Sequence, residues 1–182
     1  MSGIAYALFD TAIGRCSLAW GAGGIKAVRL SDSDDGLSRD RMLRRFPEAV
    51  EAVPPPHIQA VIDDVVRLLA GEHVDLSGAP LDMTDVPDFH RQVYALVLKI
   101  PPGQIRTYGD VARDLGDVTL SRAIGQAMGA NPFPIIMPCH RVMAAGGKLG
   151  GFSAPGGSNT KLKMLTIERA RPDAGPQGDL FG

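Results

Sequence analysis

The chain has 182 residues with a formal net charge of −1, and 45% of them are hydrophobic and 21% charged, an ordinary balance for one globular domain or two small ones. It has no apolar run of transmembrane length and no basic segment followed by an apolar one at its start, so we expect neither a membrane span nor a signal peptide. The two cysteines, Cys16 and Cys139, are far apart, which argues against a disulfide framework and favours a cytoplasmic protein with a free thiol.

Short β-prone runs separated by glycine-containing turns open the chain and predict a small antiparallel meander. These runs are residues 6–11, 15–20 and 25–30. Residues 37–46 are compatible with a short helix, and the apolar stripe over residues 57–70, which Gly71 closes, predicts a longer one. We therefore expect a first domain of strands and covering helices that includes an extended linker and spans residues 1–85.

Helices dominate the prediction for the second domain, residues 86–170. They span residues 89–100, with Asp88 as the candidate N-cap, and residues 108–115, 121–130 and 158–170. The two helices joined by residues 116–120 resemble a helix-turn-helix, although short helix pairs are common. Residues 171–182 are rich in Pro, Gly and Asp and are expected to be a disordered tail.

The charge is divided unevenly along the chain. Residues 1–89 carry 8 basic and 14 acidic side chains, whereas residues 90–170 carry 10 basic and 4 acidic ones. A basic second half beside an acidic first half indicates that the second half faces a polyanion. A chance division of charge between two domains would give the same asymmetry.

The segment Pro138-Cys139-His140-Arg141-Val142 carries the clearest chemical signal. A thiol is a good nucleophile only as the thiolate, and its free pKa of about 8.5 leaves little thiolate at neutral pH. An adjacent histidine can act as the base, but neighbours on a strand point to opposite faces, so contact requires a turn at Cys139 or a bridging water. Glu168 is the only acidic residue between Cys139 and Ala170, which makes it the candidate that orients the imidazole. The alternative is a buried structural cysteine beside a surface histidine.

This segment, together with a set of separate residues, resembles the O6-methylguanine-DNA methyltransferase family. The separate residues are Tyr108, Arg122, Asn131, Ser153 and Glu168. The motifs cover roughly residues 90–170, and the strand-rich pattern extends the resemblance loosely over residues 4–89. The resemblance implies an α+β fold, with a ribonuclease-H-like α/β domain followed by a mainly helical, winged-helix-like DNA-binding domain that contains the helix-turn-helix.

The function implied by the resemblance is irreversible, single-turnover transfer of an alkyl group from O6 of guanine to Cys139, and also from O4 of thymine. In this family pattern His140, through a water and Glu168, takes the thiol proton. Tyr108 helps to rotate the nucleotide out of the duplex and shifts a proton to guanine N3, and Asn131 supports the turn that holds the cysteine segment. The substrate carries the alkyl group, so no cofactor is implied.

The resemblance also implies a set of contacts to double-stranded DNA. Arg122 enters the duplex where the flipped base was, while the small residues Ala123 and Gly125 permit close approach to the minor groove. Phe152 takes the place of an aromatic residue that covers the base, and Ser153 hydrogen-bonds near O6. The partner implied is a duplex with one flipped alkylated base, bound by a cytoplasmic, nucleoid-associated monomer.

The tail contains a second motif, Gln177-Gly-Asp-Leu-Phe181. It resembles the pentapeptide with which bacterial repair and replication proteins dock on the sliding clamp, where the Leu-Phe pair would enter an apolar pocket. A random terminal Leu-Phe pair is the alternative, because short motifs often occur by chance.

Three other functions compete with alkyl transfer. A lesion sensor of the alkyltransferase-like class would lack the acceptor cysteine, and a cysteine hydrolase would need a histidine distant in sequence and an oxyanion hole. A transcription regulator would use the helix-turn-helix alone. The remaining histidines, His57, His73 and His90, show no metal-ligand spacing with Cys16, so no metal site is expected.

Overall fold

A four-stranded sheet forms the first part of the computed structural model, which describes residues 3–31, 34–144 and 157–170. Its strands are β1 (Ala5–Thr11), β2 (Gly14–Gly21), β3 (Gly24–Arg29) and β4 (Val50–Glu51). The strand order is β3-β2-β1-β4, with β1, β2 and β3 antiparallel and β4 parallel to β1. The predicted meander is therefore confirmed. The fourth strand was not predicted because two residues are too few to show a periodic pattern.

Two helices cover opposite faces of this sheet. Helix α1 (Asp35–Arg45) places Met42 against Tyr6 and Ala19, and helix α2 (Pro56–Leu69) adds its apolar stripe to the main core on the other face. Pro56 is the first residue of α2, where its missing N–H costs nothing because that position has no intrahelical acceptor. Both predicted helices are confirmed within one or two residues.

The segment after α2 runs along the free edge of β3 and leads into the second half. The Ile25 amide donates to the Pro80 carbonyl at 2.7 Å, and the Asp82 amide donates to the Ile25 carbonyl at 2.8 Å. Gly24 has φ +118, and a Cβ at this position would collide with the Pro80 carbonyl, so the close approach requires glycine. The linker is thus fixed to the sheet.

The second half contains four helices and a second, two-stranded sheet among the described residues. They are α3 (Asp88–Val97), β5 (Arg106–Thr107), α4 (Tyr108–Asp114), α5 (Ser121–Gly129), β6 (Val142–Met143) and α6 (Gly157–Ile167). A 3₁₀ turn, Val118–Leu120, joins α4 to α5, and β5 pairs with β6 in parallel. The architecture is α+β as expected, and none of the described helices is long and apolar enough to cross a bilayer.

Two details of α3 differ from the prediction. Asp88 is not the N-cap but the first helical residue, and Pro87 precedes it without a side-chain cap. The helix ends at Val97 rather than Ile100, because Ile100 precedes Pro101 and the residue before a proline avoids the α conformation. The chain tightens instead into a turn in which the Ile100 amide donates to the Val97 carbonyl at 3.0 Å.

One apolar core joins the two halves. It includes Leu18 from β2 and Val65 from α2, together with Val97, Phe133 and Ile136 from the second half, all of them nearly or fully buried. Each such side chain contributes about 1.5–3 kcal/mol on burial. Tyr94 strengthens the second half, because its hydroxyl donates to the Ala127 carbonyl at 2.6 Å and connects α3 to α5.

Candidate active site

Cys139 begins one turn of 3₁₀ helix that covers Cys139–Arg141 and is buried in the second half. The turn closes with a hydrogen bond of 2.9 Å from the Arg141 amide to the Pro138 carbonyl, and the Cys139 amide donates to the Met137 carbonyl at 2.7 Å. The sequence predicted that a turn at Cys139 would be one way to bring the thiol near the neighbouring imidazole, and the turn is present. Cys139 as a whole is only 6% exposed, so the residue is almost entirely enclosed by the protein.

Asn131 holds the loop that leads to Cys139. Its side-chain amide nitrogen donates to the Met137 carbonyl at 3.0 Å, and its side-chain oxygen accepts the Phe133 amide at 2.8 Å. Ile135, within the loop, has φ +77, a left-handed conformation that costs a β-branched residue energy. The two Asn131 hydrogen bonds therefore stabilise a strained segment directly before the cysteine.

His140, Arg141 and Glu168 form a buried cluster behind the thiol. The Nε2 atom of His140 lies 2.9 Å from Oε2 of Glu168, and Arg141 donates to both Glu168 oxygens at 2.8 and 2.7 Å. Arg141 also donates to the Ile100 carbonyl at 2.7 Å, which fixes the guanidinium. Burial alone would raise the pKa of Glu168, but His140 and Arg141 outweigh it and lower that pKa to about 2, so the carboxylate is ionised.

The cluster fixes the protonation state of His140. Burial lowers the pKa of His140, and the opposing attraction of Glu168 does not restore it, so the imidazole is neutral at pH 7. An ionised Glu168 only accepts hydrogen bonds, so Nε2 carries the hydrogen and Nδ1 keeps its lone pair. That Nδ1 atom is buried and has no hydrogen-bond partner among the described residues. A neutral imidazole with this tautomer is a base held ready to accept a proton.

The Cys139 thiol is protonated at rest. Burial raises its pKa, against the opposing effects of the Asn131 side chain, the Lys161 charge and the backbone amides of Cys139 and His140. A protonated, buried thiol needs a nearby base at the moment of reaction. His140 is the adjacent residue that can supply it.

Lys161 is a member of the site that the sequence analysis missed. It lies in the first turns of α6 with no exposed surface, and its Nζ donates to the Val142 carbonyl at 2.8 Å. Burial lowers its pKa to about 8, while a thiolate at Cys139 would raise it. One signal was available: Lys161, Met164, Leu165 and Glu168 follow the spacing of one helical face, and all four are buried.

Tyr108 is the first residue of α4 and lies beside the thiol. It is half-buried, and both burial and the nearby Cys139 raise its pKa, so its hydroxyl is protonated and able to donate. A capping box fixes the start of α4: the Thr107 hydroxyl accepts the Asp110 amide at 3.0 Å, and the Asp110 carboxylate accepts the Thr107 amide at 2.9 Å. Tyr108 is therefore held by a well-defined helix start.

The expected DNA-contacting residues of α5 lie on its outer side. Arg122 is exposed, and within the described residues it makes no ion pair or hydrogen bond. Ala123 and Gly125 are half-buried, and a Cβ added to Gly125 would meet nothing within 4 Å. The buried residues of the helix are Ile124, Ala127 and Met128, which leaves a face of small residues next to Arg122.

Some of the expected contact residues belong to parts of the chain that the structure does not describe. Phe152, Ser153 and the tail segment Gln177–Phe181 lie outside the described residues. Of the chain that is described, no group of three or more His, Cys, Asp or Glu side chains could hold a metal ion.

Comparison with known proteins gives one match to the second half and others to nearly all of the chain. A family described as 6-O-methylguanine DNA methyltransferase, DNA binding domain, matches residues 88–170. The methylated-DNA–protein-cysteine methyltransferase of Mycobacterium tuberculosis strain H37Rv is 35% identical over 174 residues, which are 94% of this chain and 96% of the relative. The match to this relative includes both the sheet and the helical half.

Solved structures show the same extent of similarity. Mycobacterium tuberculosis OGT in complex with DNA has a TM-score of 0.72 and 31% identity, over 98% of this chain and 99% of that one. The O6-methylguanine-DNA methyltransferase of the archaeon Pyrococcus kodakaraensis strain KOD1 has a TM-score of 0.69 and 25% identity, over 91% of this chain and 98% of that one.

Proposed function

This chain belongs to the family of methylated-DNA–protein-cysteine methyltransferases, and we propose that it repairs DNA by moving an alkyl group from O6 of guanine to Sγ of Cys139. The observation that carries the proposal is the buried Cys139 turn beside a neutral His140, whose Nδ1 has no partner among the described residues. A purely structural cysteine would not need a neighbouring base whose tautomer is fixed by a buried, ionised carboxylate.

The proposed reaction begins with proton transfer. His140 Nδ1 accepts the thiol proton, through a bridging water, and Glu168 stabilises the imidazolium that forms. The thiolate attacks the alkyl carbon, a C–S bond forms, and the bond between that carbon and O6 breaks. Tyr108 donates its hydroxyl proton to N3 of the leaving guanine. It is then reprotonated by the proton that His140 took from the thiol. The products are an S-alkyl cysteine and guanine, and the reaction balances without a cofactor.

The proposed reaction occurs once per protein molecule. The S-alkyl cysteine is a thioether without a good leaving group, so no step returns the free thiol. The same in-line attack applies to O4-alkylthymine, which has an equivalent alkyl–oxygen bond, and we include it as a substrate.

The target base must leave the duplex to reach the thiol. Flipping it costs a few kcal/mol, and an inserted side chain partly offsets that cost by filling the gap. We assign this insertion to Arg122, with Ala123 and Gly125 allowing α5 to approach the minor groove and with Phe152 and Ser153 contacting the flipped base. The half of the chain that contains α5 is the basic half.

The proposal also includes a division of the chain into domains. The domains are a ribonuclease-H-like unit over residues 1–85, a winged-helix-like unit with a helix-turn-helix over residues 86–170 and a tail over residues 171–182. We propose that the protein acts as a monomer on double-stranded DNA and is associated with the nucleoid.

Transfer of a labelled methyl group tests this function. A duplex with one labelled O6-methylguanine should label the parent protein and Cys16→Ala, and should not label Cys139→Ala. Cys16 is the matched control, because it is the other cysteine and is also buried. Label on Cys139→Ala, or its absence from both the parent and Cys16→Ala, would refute the proposal.

We also propose that Gln177–Phe181 docks on the sliding clamp as an extended peptide. Deletion of residues 176–182 should abolish capture of the protein by immobilised clamp and leave alkyl transfer to short duplexes unchanged. Continued capture of the truncated chain would show that the motif is a chance match.

A further inference from the structure

The end of α6 contacts the linker that follows α2. The Nε2 atom of His73 lies 3.1 Å from the Glu168 carbonyl oxygen, and Nη1 of Arg169 donates to the Gly71 carbonyl at 3.2 Å. A carbonyl oxygen only accepts hydrogen bonds, so Nε2 of His73 carries a hydrogen and donates it. These two hydrogen bonds form the linker contact, which joins residues 95 and 98 positions apart in the chain.

Glu168 lies directly after Ile167, the last helical residue of α6. Its amide still donates to the Met164 carbonyl at 3.0 Å, but its own carbonyl has no following turn of helix to supply a donor. His73 supplies that donor from outside the helix. Helix ends fray when nothing holds them, and the carboxylate of this end residue lies 2.9 Å from His140. The linker contact therefore fixes the backbone of the residue that orients the imidazole.

Arg169, the next residue, has φ +61, a left-handed conformation that residues other than glycine rarely adopt. This conformation lets the Ala170 amide donate to the Leu165 carbonyl at 2.8 Å, a hydrogen bond typical of a Schellman helix end. Glycine is the usual residue at such a position, because it takes the left-handed conformation without strain. An arginine there costs energy, and its hydrogen bond to the Gly71 carbonyl offsets part of that cost.

The linker holds His73 in a fixed position. On one side, the Glu72 amide donates to the Arg67 carbonyl at 3.1 Å and the Glu72 carboxylate pairs with the Arg67 guanidinium at 3.1 Å, which connects the linker to α2. On the other side, Leu76 is buried in the main core. A Cβ added to Gly103 would lie 3.3 Å both from Cε1 of His73 and from the carbonyl oxygen that this histidine contacts. The turn that contains Gly103 thus packs against the same hydrogen bond.

We propose that His73 is a positioning residue for methyl transfer, which acts by holding the backbone of Glu168 so that its carboxylate stays aligned with His140. Arg141 fixes the carboxylate end of Glu168, and the linker contact fixes its backbone end. The inference rests on the proposed function, since it concerns the base of that reaction. A displaced carboxylate would stabilise the imidazolium less, so the chemical step would slow while the affinity for DNA stayed the same.

Substitutions of His73 in the full-length protein test the proposal. Single-turnover methyl transfer is measured against the concentration of O6-methylguanine duplex, which separates the maximal rate from the half-saturating concentration. His73→Ala should lower the maximal rate about two- to tenfold, the range to which the loss of one hydrogen bond corresponds, and leave the half-saturating concentration unchanged. The Gln side chain has an N–H donor at a similar distance from the backbone, so His73→Gln should recover most of the rate. His73→Asn, whose amide is one carbon closer to the backbone, should not.

Two further variants separate positioning from stability. Arg169→Gly loses the hydrogen bond to Gly71 but also loses the left-handed strain, so it should melt near the parent temperature and still have a lower maximal rate. Arg91→Ala is the matched control, because Arg91 also donates to linker carbonyls, those of Val86 at 2.9 Å and Thr84 at 3.2 Å, at the other end of the linker. It should keep the parent maximal rate. Thermal melting should show that all of these variants are folded.

Three results in an active parent would overturn the positioning role alone. One is an equal maximal rate for His73→Ala and the parent, and another is an equal loss of rate in Arg91→Ala. The third is a loss in His73→Gln as large as that in His73→Ala, which would show that the donor does not matter. Absence of methyl transfer in the parent would instead refute the proposed function, and the positioning role with it.

Discussion

At the scale of single residues, burial and charge set three protonation states on which the proposed chemistry depends. Cys139 is a buried thiol whose pKa is raised, His140 is a buried imidazole whose pKa is lowered, and Glu168 is a carboxylate whose pKa is about 2. At pH 7 the Cys139 thiol is therefore protonated and the His140 imidazole is neutral. The thiol proton moves to the imidazole only during the reaction. Sequence alone identified these three residues, since they follow from one motif and one acidic position.

The Glu168 carboxylate gives a pH dependence of stability with a defined sign. Its folded pKa of about 2 lies below its unfolded value near 4.5, so its contribution is present above pH 4.5 and is lost as the pH falls toward 2. The shift corresponds to about 3 kcal/mol. Urea unfolding at pH 5.5 and pH 3 should show this loss in the parent, whereas Glu168→Gln should be less stable at pH 5.5 and show a smaller loss. Parallel pH curves for the two proteins would contradict the account.

Lys161 should affect the rate through its charge. Its ammonium group opposes the rise in the pKa of Cys139, so Lys161→Met should raise that pKa further and slow methyl transfer at neutral pH. The rate should fall by about tenfold for each unit by which the pKa rises. Single-turnover rates measured between pH 6 and 10 should reach their plateau at a higher pH in Lys161→Met than in the parent. Lys161→Arg keeps the charge and should restore part of the rate. Equal pH profiles for Lys161→Met and the parent would show that the charge has no such effect.

At the scale of elements, the capping box before α4 determines where Tyr108 lies. Thr107→Ala removes the hydroxyl that accepts the Asp110 amide, and it should cost about 1 kcal/mol of stability and slow methyl transfer. Asp34→Ala is the matched control, because Asp34 accepts the Leu37 amide at 2.7 Å at the start of α1, away from the thiol. It should lose similar stability and keep the parent rate. Equal rates for Thr107→Ala and Asp34→Ala would separate the cap from catalysis.

The elements also show what local sequence could and could not predict. Strands β1 to β3 and the longer helices have clear periodic patterns and were predicted closely. The two-residue strands β5 and β6 depend on pairing between Arg106–Thr107 and Val142–Met143, more than thirty residues apart, which no local pattern records. Burial of Lys161 was missed for a related reason: its partner is the Val142 carbonyl, an acceptor that every residue has.

At the scale of the whole molecule, the shared core makes the two halves depend on each other. Phe133 is fully buried within the cluster that also contains Leu18 and Val65, and His73 from the linker contacts the Glu168 carbonyl at 3.1 Å. The first half thus helps to position the carboxylate that orients His140. This dependence between distant segments could not be predicted from sequence patterns, which gave two domains but not their contact.

The shared core predicts a single unfolding transition. Trp20, the only tryptophan, reports on the sheet, and methyl transfer reports on the second half. Phe133→Ala should cost about 3–5 kcal/mol and shift both signals to the same lower urea midpoint. A shift in activity without a shift in Trp20 fluorescence would show that the halves unfold separately.

Titration with excess lesion DNA shows whether Cys139 is the final acceptor of the alkyl group. The protein is mixed with a several-fold excess of O6-methylguanine duplex, and the methylated peptides are quantified by mass spectrometry after digestion. If Cys139 is the final acceptor, incorporation stops at one methyl group per protein, and that group lies on the peptide containing Cys139. Continued turnover, or a methyl group on another residue, would contradict it.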